Sequence, residues 1–101
     1  MDLKFNIEFT GYFANQFSLA TEKEKLQLQS KLIIVKNNPF KYPVLIGYNQ
    51  VRKIKLSFKG QYSRLIYAVF WPEENTITII GLFPRKHNYN DFKRLFKEVL
   101  K

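Results

Sequence analysis

Three consecutive runs of strand-forming residues occupy the second half of the chain and most restrict what it can fold into. The runs are Val51 to Phe58, Tyr62 to Trp71 and Thr76 to Phe83, and each is rich in β-branched and aromatic residues. The polar segments between them, 59–61 and 72–75, have the length and composition of turns. Because such short turns join neighbouring antiparallel strands, the sequence predicts a three-stranded meander.

The first half of the chain predicts one strand followed by two helices. Residues 3–9 alternate apolar and polar side chains with the period of a half-buried strand, and apolar residues recur at helical spacing over 13–20. Thr21 and Glu24 have the spacing of a capping box, so we expect a second helix to begin there. Pro39 ends that helix, because proline cannot continue the hydrogen-bond ladder.

A last helix is predicted after Asn90 or Asp91, either of which can cap it. Its apolar residues follow helical spacing and are Phe92, Leu95, Phe96, Val99 and Leu100. The predicted order is therefore β-α-α-β-β-β-α. This order is typical of an α+β fold, with a mostly antiparallel sheet, helices packed on one face and the opposite face open to a ligand.

Length and composition agree with one domain over residues 1–101. The chain has no cysteine, which excludes a disulfide scaffold, a thiolate zinc site and a cysteine nucleophile. It also lacks an apolar run long enough for a membrane span and the apolar stretch of a signal peptide. We therefore expect a small, soluble, cytoplasmic protein without a membrane partner.

The positive charge is concentrated in the middle of the chain. The protein has 17 Lys and Arg against 8 Asp and Glu, a net charge of +9, yet no acidic residue occurs from Lys25 through Pro72. Either this segment is a solvated basic face or it binds a polyanion such as RNA. Aromatic residues are interleaved with the cations, as core rings or as platforms for bases, and they are Phe40, Tyr42, Tyr48, Phe58, Tyr62 and Tyr67.

Strand periodicity predicts a cluster of cations at one end of the sheet. It places Lys53 and Lys55 on one face, opposite Ile54 and Leu56, and Arg64 begins the next strand across the hairpin. Four more candidate residues follow the third strand, and they are Arg85, Lys86, His87 and Tyr89. This surface contains no carboxylate. Solubility alone also explains paired lysines, and Arg64 could instead pair with Glu73 or Glu74.

The composition of this cluster limits the chemistry available to it. Two-metal phosphodiester cleavage needs clustered carboxylates, and a zincin site needs more than the single histidine present, so we expect no metal and no cofactor. A cation cluster can instead support RNA cleavage by attack of the substrate's own 2′-OH. Crowded cations lower one another's pKa, so a lysine can act as the base, while arginine stabilises charge on the phosphate.

The segments 53–56, 62–67 and 85–89 resemble the K-I-K-L, Y-R-L-x-Y and R-x-x-x-Y elements of the RelE/ParE toxin superfamily, in the same order. The resemblance extends over nearly the whole chain and implies the RelE-like microbial RNase fold. It implies a toxin of a type II toxin–antitoxin system, an endoribonuclease that cuts mRNA in the ribosomal A site and so inhibits translation. Two departures are the extra Ser63, which predicts a bulge beside Arg64, and Pro84, which replaces a histidine.

Site roles follow from the same resemblance. It implies that Lys55 is the general base and that Lys53 stabilises the phosphate. It further implies that Arg64 stabilises the transition state, that Arg85 assists the leaving 5′-oxygen and that Tyr89 orients or stacks on the substrate nucleotide.

The remaining predicted RNA-binding residues are Arg52, Lys59, Lys86 and His87. His87 is also a candidate proton donor in place of the absent histidine. The resemblance implies a cognate acidic antitoxin that covers the basic surface or the last helix.

Two alternatives stay open from the sequence. One is a ParE-like gyrase-inhibiting toxin without nuclease activity, and the other is a non-catalytic module that binds RNA through the same face.

Overall fold

The fold was analysed in a computed structural model, which describes residues 4–84 and 90–99. Their element order confirms the predicted α+β class, and no helix among them is long and apolar enough to cross a membrane. The elements are β1 (Asn6–Phe9), α1 (Gly11–Ser18), α2 (Glu22–Asn37), β2 (Val51–Phe58), β3 (Gln61–Phe70), β4 (Thr76–Pro84) and α3 (Asn90–Val99).

The strands form one mixed sheet in the order β1-β4-β3-β2. The predicted meander is confirmed, because β2, β3 and β4 pair as antiparallel neighbours. Strand β1 pairs in parallel with β4, which the helical hairpin α1–α2 makes possible by carrying the chain to the far edge of the sheet. The sheet edges are therefore β1 and β2.

The β2–β3 hairpin is regular over its whole length. Its register runs from Val51 opposite Ala68 to Phe58 opposite Gln61 without a break. The two-residue turn consists of Lys59 (φ 51°) and Gly60 (φ 74°), and this pair of positive φ angles suits the right-handed twist of the strands.

The prediction of a bulge at Ser63 in this hairpin is wrong. Because the turn has only two residues, every residue of β2 pairs with one of β3, and the extra residue lengthens the hairpin without shifting its register. The irregularity lies instead between β3 and β4. There Ile66 pairs with Gly81 and Tyr67 pairs with Ile79, which leaves Ile80 as the extra residue.

The N-termini of α1 and α2 are each capped by a threonine. The Thr10 hydroxyl accepts a hydrogen bond from the Phe13 N–H (3.0 Å) at the start of α1. The predicted capping box at α2 is confirmed, with Thr21 and Glu24 each accepting from the other's backbone N–H at 3.2 and 2.8 Å. Helix α2 then ends at Asn37, two residues before Pro39.

Helices α1 and α2 cover one face of the sheet. Phe13 of α1 and Leu28 and Val35 of α2 are buried there against alternate residues of the strands, including Leu65 and Tyr67 of β3. Leu28 and Val35 lie seven residues apart and so form an apolar stripe on the side of α2 that faces the sheet. Leu26 and Ile33, beside that stripe, are instead 65% and 61% exposed.

The opposite face of the sheet is also covered in part. Ile66 and Ala68 of β3 and Phe83 of β4 belong to a second buried cluster that includes Phe92 of α3 and Leu45 of the connection between α2 and β2. The prediction that all helices pack on one face is therefore wrong for α3. Strands β3 and β4 are apolar on both faces, and the second face also needs cover. The predicted open face is reduced to the end of the sheet near the β2–β3 turn.

Helix α1 replaces β1 as the neighbour of β4 once β1 ends. The Gln16 side-chain amide donates to the Leu82 carbonyl (2.9 Å) and accepts from the Leu82 N–H (2.8 Å), as a neighbouring strand would. The Thr10 hydroxyl donates to the Ile80 carbonyl at 2.7 Å. These bonds satisfy the edge of β4 around its bulge and fix the end of the strand that leads to Arg85.

Gly81 permits this close approach of α1 to β4. Its φ is 155°, and a Cβ added there would lie 2.7 Å from Cδ2 of Tyr12. We expect Gly81→Ala to lower the free energy of unfolding by about 1–3 kcal/mol, because the Tyr12 ring must move. Gly11→Ala is the matched control, since its Cβ would meet nothing within 4 Å. Urea denaturation of both variants checks this, and equal stability would contradict it.

Candidate nucleic-acid interface

The β2–β3 hairpin brings three predicted catalytic residues onto one face. Lys55 lies directly opposite Arg64 in the strand register, and Lys53 lies opposite Ile66. Directly opposed residues have Cβ atoms about 4.5–5.5 Å apart, so the cations of Lys55 and Arg64 share one site. The predicted placing of Lys53, Lys55 and Arg64 together is thus what the fold produces.

Arg64 is a buried cation, and no ion pair among the described residues includes it. Its side chain lies between Lys55 on β2 and Phe83 on β4, and the residue is only 8% exposed. No described residue hydrogen-bonds to its Nε. The alternative pairing with Glu73 or Glu74 is absent from the described ion pairs, since both residues lie in the turn at the opposite end of β3.

Burying a cation without a counter-charge costs free energy, so this arrangement favours an anion as the missing partner. A second cation directly across the hairpin increases that cost and strengthens the attraction for the anion. The positions of Lys55 and Arg64 therefore indicate a site for a phosphate group.

A shallow cavity adjoins these cations at the turn end of the sheet. Its volume is about 370 Å³, and the residues that line it are Lys55, Leu56, Ser57, Tyr62 and Arg64. This volume is within the range of small-ligand sites. The cavity lies beyond the apolar cluster that α3 covers, which leaves it open to solvent.

Arg52 lies away from this group. Strand alternation places it on the face opposite Lys53, and its guanidinium Nη1 donates to the carbonyls of Phe40 (3.2 Å) and Tyr42 (2.6 Å). The guanidinium also lies over the Phe40 ring, 5.3 Å from its centre. The structure thus gives Arg52 a role in fixing the connection before β2, and its contact with RNA stays a prediction.

Lys59 occupies the hairpin turn, at the rim of the cavity end of the sheet. Its Nζ lies 3.9 Å from a carboxylate oxygen of Glu24 on α2, and the Lys59 side chain is 53% exposed while that of Glu24 is 19% exposed. A contact this long to a half-exposed lysine contributes little to stability.

The candidate residues Arg85, Lys86, His87 and Tyr89 lie outside the described residues. Strand β4 ends at Pro84, which pairs with Ser63, the residue before Arg64. Arg85 follows Pro84 directly in the sequence. The last described residue of β4 thus lies next to the strand position that carries Arg64.

Most aromatic residues that the sequence interleaves with cations are core or half-buried. Tyr67 is fully buried, its hydroxyl donates to the Pro39 carbonyl at 2.8 Å, and burial raises its pKa well above the usual range. Tyr62 is the exception, since it is 82% exposed and lines the cavity. The sequence carried a signal for this, because period two puts Tyr62 on the same face as Arg64. Among residues 4–84 and 90–99, no group of three His, Cys, Asp or Glu could hold a metal ion.

Comparison with solved structures gives the fold a name. The chain is similar to a variant of the E. coli toxin RelE in the free state, with a TM-score of 0.73 and 21% identity over 95% of this chain and 98% of that one. It is also similar to the intact E. coli RelBE toxin–antitoxin complex (TM-score 0.68, 23% identity, 82% and 99% covered). It is similar as well to an archaeal RelE–RelB complex from Pyrococcus horikoshii, with a TM-score of 0.59 and 16% identity over 83% of this chain and 98% of that one.

No family model and no curated protein sequence matches the chain. The structural comparisons confirm the predicted RelE-like fold over most of its length.

The burial of Arg64 gives a test that does not depend on activity. We expect Arg64→Met to raise the free energy of unfolding by about 1–2 kcal/mol, because a well-packed apolar side chain replaces a buried cation without a counter-charge. Lys55→Met, at an exposed position, should leave it unchanged. Inorganic phosphate should stabilise the parent protein and not Arg64→Met, since it binds only the folded site. Thermal unfolding with and without phosphate measures both effects, and a destabilised Arg64→Met would contradict the assignment.

Proposed function

We propose that this chain is the toxin of a type II toxin–antitoxin system and cuts mRNA in the ribosomal A site. The observation that carries the proposal is the buried Arg64, which forms no ion pair among the described residues and lies directly opposite Lys55 at an open cavity of a RelE fold. A site with two opposed cations attracts a phosphodiester. It also stabilises the extra negative charge that develops on the phosphate during cleavage.

The proposed reaction uses the nucleophile of the substrate itself. Lys55 acts as the general base and removes the proton of a 2′-OH, and the 2′-oxygen attacks the adjacent phosphorus. The bond from phosphorus to the 5′-oxygen breaks, and that oxygen receives a proton. The products are a 2′,3′-cyclic phosphate and a 5′-OH end, and no metal takes part.

The surrounding residues assist in different ways. Arg64 neutralises the phosphate oxygens in the transition state, and Lys53, two residues from Lys55 on the same face, adds positive potential at the phosphate. We assign Arg85 to the leaving 5′-oxygen and Tyr89 to the substrate nucleotide. Lys59, Lys86 and His87 are proposed to contact the RNA backbone.

The excess of positive charge supports binding to the ribosome as well as to mRNA. The nine cations between Lys25 and Pro72 have no acidic residue among them in the sequence, so this part of the chain is attracted to polyanions. The cytoplasm, where ribosomes are, is therefore the proposed location.

A cognate antitoxin is the proposed protein partner. Two of the similar solved structures are complexes of RelE with the antitoxin RelB. An antitoxin that covers the cavity would need acidic side chains to offset the charges of Lys55 and Arg64.

Removing either opposed cation should abolish most of the activity. We expect Lys55→Ala and Arg64→Ala each to slow mRNA cleavage by about 10²–10³-fold, because the first variant loses the proposed general base and the second loses a preorganised charge at the phosphate. Lys36→Ala is the matched control, since it removes one exposed cation from α2 at a distance from the cavity. The measurement is mapping of new mRNA 5′ ends minutes after induction of each variant.

Growth arrest without new mRNA ends would contradict the proposal. Inhibition of DNA supercoiling that persists in Lys55→Ala would then favour a gyrase poison. Binding of RNA without any product would favour the non-catalytic module. The same experiment with Arg85→Ala tests the role proposed for that residue.

The proposed mechanism predicts that cleavage at each site depends on one 2′-OH of the mRNA. On ribosomes programmed with a defined mRNA, replacing the 2′-OH before the scissile phosphate by hydrogen should block cleavage there, because the nucleophile is gone. The protein should still bind the ribosome. Cleavage continuing at the substituted position would show that water is the nucleophile and remove Lys55 from the role of base.

A further inference from the structure

Tyr62 is the most exposed aromatic side chain in the described part of the protein. It is 82% exposed, whereas the next most exposed aromatic residues, Phe9 and Trp71, are each 50% exposed. A ring with so little contact to the fold contributes little to the core. Its position on the cavity therefore calls for a function in binding.

The strand register fixes this ring relative to the cations. Tyr62 and Arg64 are two residues apart on β3, so their side chains lie on the same face, about 7 Å apart along the strand. Ser57 lies directly opposite Tyr62, and Lys55 is its diagonal neighbour.

We propose that the Tyr62 ring stacks on one unpaired nucleobase of the RNA strand whose phosphate Lys55 and Arg64 hold. The inference rests on the proposed function and assigns the ring a role in positioning the substrate. One nucleotide of an extended RNA strand can span the distance from Arg64 to Tyr62. Stacking on a ring is sequence-tolerant and needs an exposed π face, which Tyr62 has.

The position of Tyr62 along β3 explains why its ring lies outside the apolar core. On this face of β3, Ile66 and Ala68 are buried in the second cluster, while Arg64 and Tyr62 lie progressively nearer the turn. The cover provided by α3 and Leu45 does not extend to the turn end. Exposing a large ring to water costs free energy, and stacking on a nucleobase would remove part of that cost by covering the ring.

The test measures cleavage by the full chain on ribosomes programmed with an mRNA whose A-site codon is vacant. The variants are Tyr62→Ala, Tyr62→Phe and Arg64→Ala, with Trp71→Ala as the control for loss of an exposed ring at the far end of β3. Each is titrated to give the half-saturating protein concentration and the maximal rate. The titration is repeated on mRNAs that lack the base of one codon nucleotide at a time.

We expect Tyr62→Ala to raise the half-saturating concentration by about 5- to 150-fold, the loss of one stacked base. The maximal rate should change far less than in Arg64→Ala. Tyr62→Phe should restore binding because it keeps the ring, and Trp71→Ala should behave as the parent. Removing the base of one particular nucleotide should raise the half-saturating concentration of the parent protein by the same factor. The same removal should not raise it further for Tyr62→Ala.

Different outcomes overturn different statements. If Arg64→Ala is impaired and Tyr62→Ala behaves as the parent, the stacking role is wrong and the proposed function stands. If the losses from Tyr62→Ala and from every base-free nucleotide multiply, the ring binds another surface, such as a protein. If the parent protein cuts no mRNA, the proposed function fails, and this inference fails with it.

Discussion

The candidate site depends on the register of one hairpin. The two positive φ angles at Lys59 and Gly60 close β2 and β3 into a two-residue turn that places Lys55 opposite Arg64. A slip of β2 by one residue would turn Lys55 toward the apolar core, where Ile54 is now buried, and away from Arg64. The turn and the core therefore select the same register, and a site made of two residues on different strands can be held without any direct bond between them.

Cover on both faces of the sheet decides where that site can be. Helices α1 and α2 bury one face, while α3 and the connection before β2 bury most of the other. The connection is held by Arg52, which donates to two of its carbonyls, and by the buried hydroxyl of Tyr67. Within the part of the chain that the structure describes, the turn end of the second face stays accessible, and the cavity beside Lys55 and Arg64 lies there.

Local signals predicted most of the fold, and long-range packing accounts for what they missed. The capping box at Thr21 and the three strand runs depend on neighbours in sequence, so they were visible in it. Periodicity tells which residues share a face and not which element covers that face, so α3 was placed wrongly. The same alternation already put Arg52 on the face opposite Lys53, so its separation from the site was predictable. Arg85 and Tyr89 stay predictions.

The burial of Arg64 connects the stability of the fold with its proposed partners. A cation that is 8% exposed beside a second cation raises the free energy of the isolated folded chain. Any anion that binds there recovers part of this cost, whether it is the phosphate of a substrate or a carboxylate of an antitoxin. Substrate and antitoxin would then compete for the same buried positive charge, that of Arg64. Inhibition by a protein partner would thus need no rearrangement of the hairpin, only a carboxylate at the place of the phosphate.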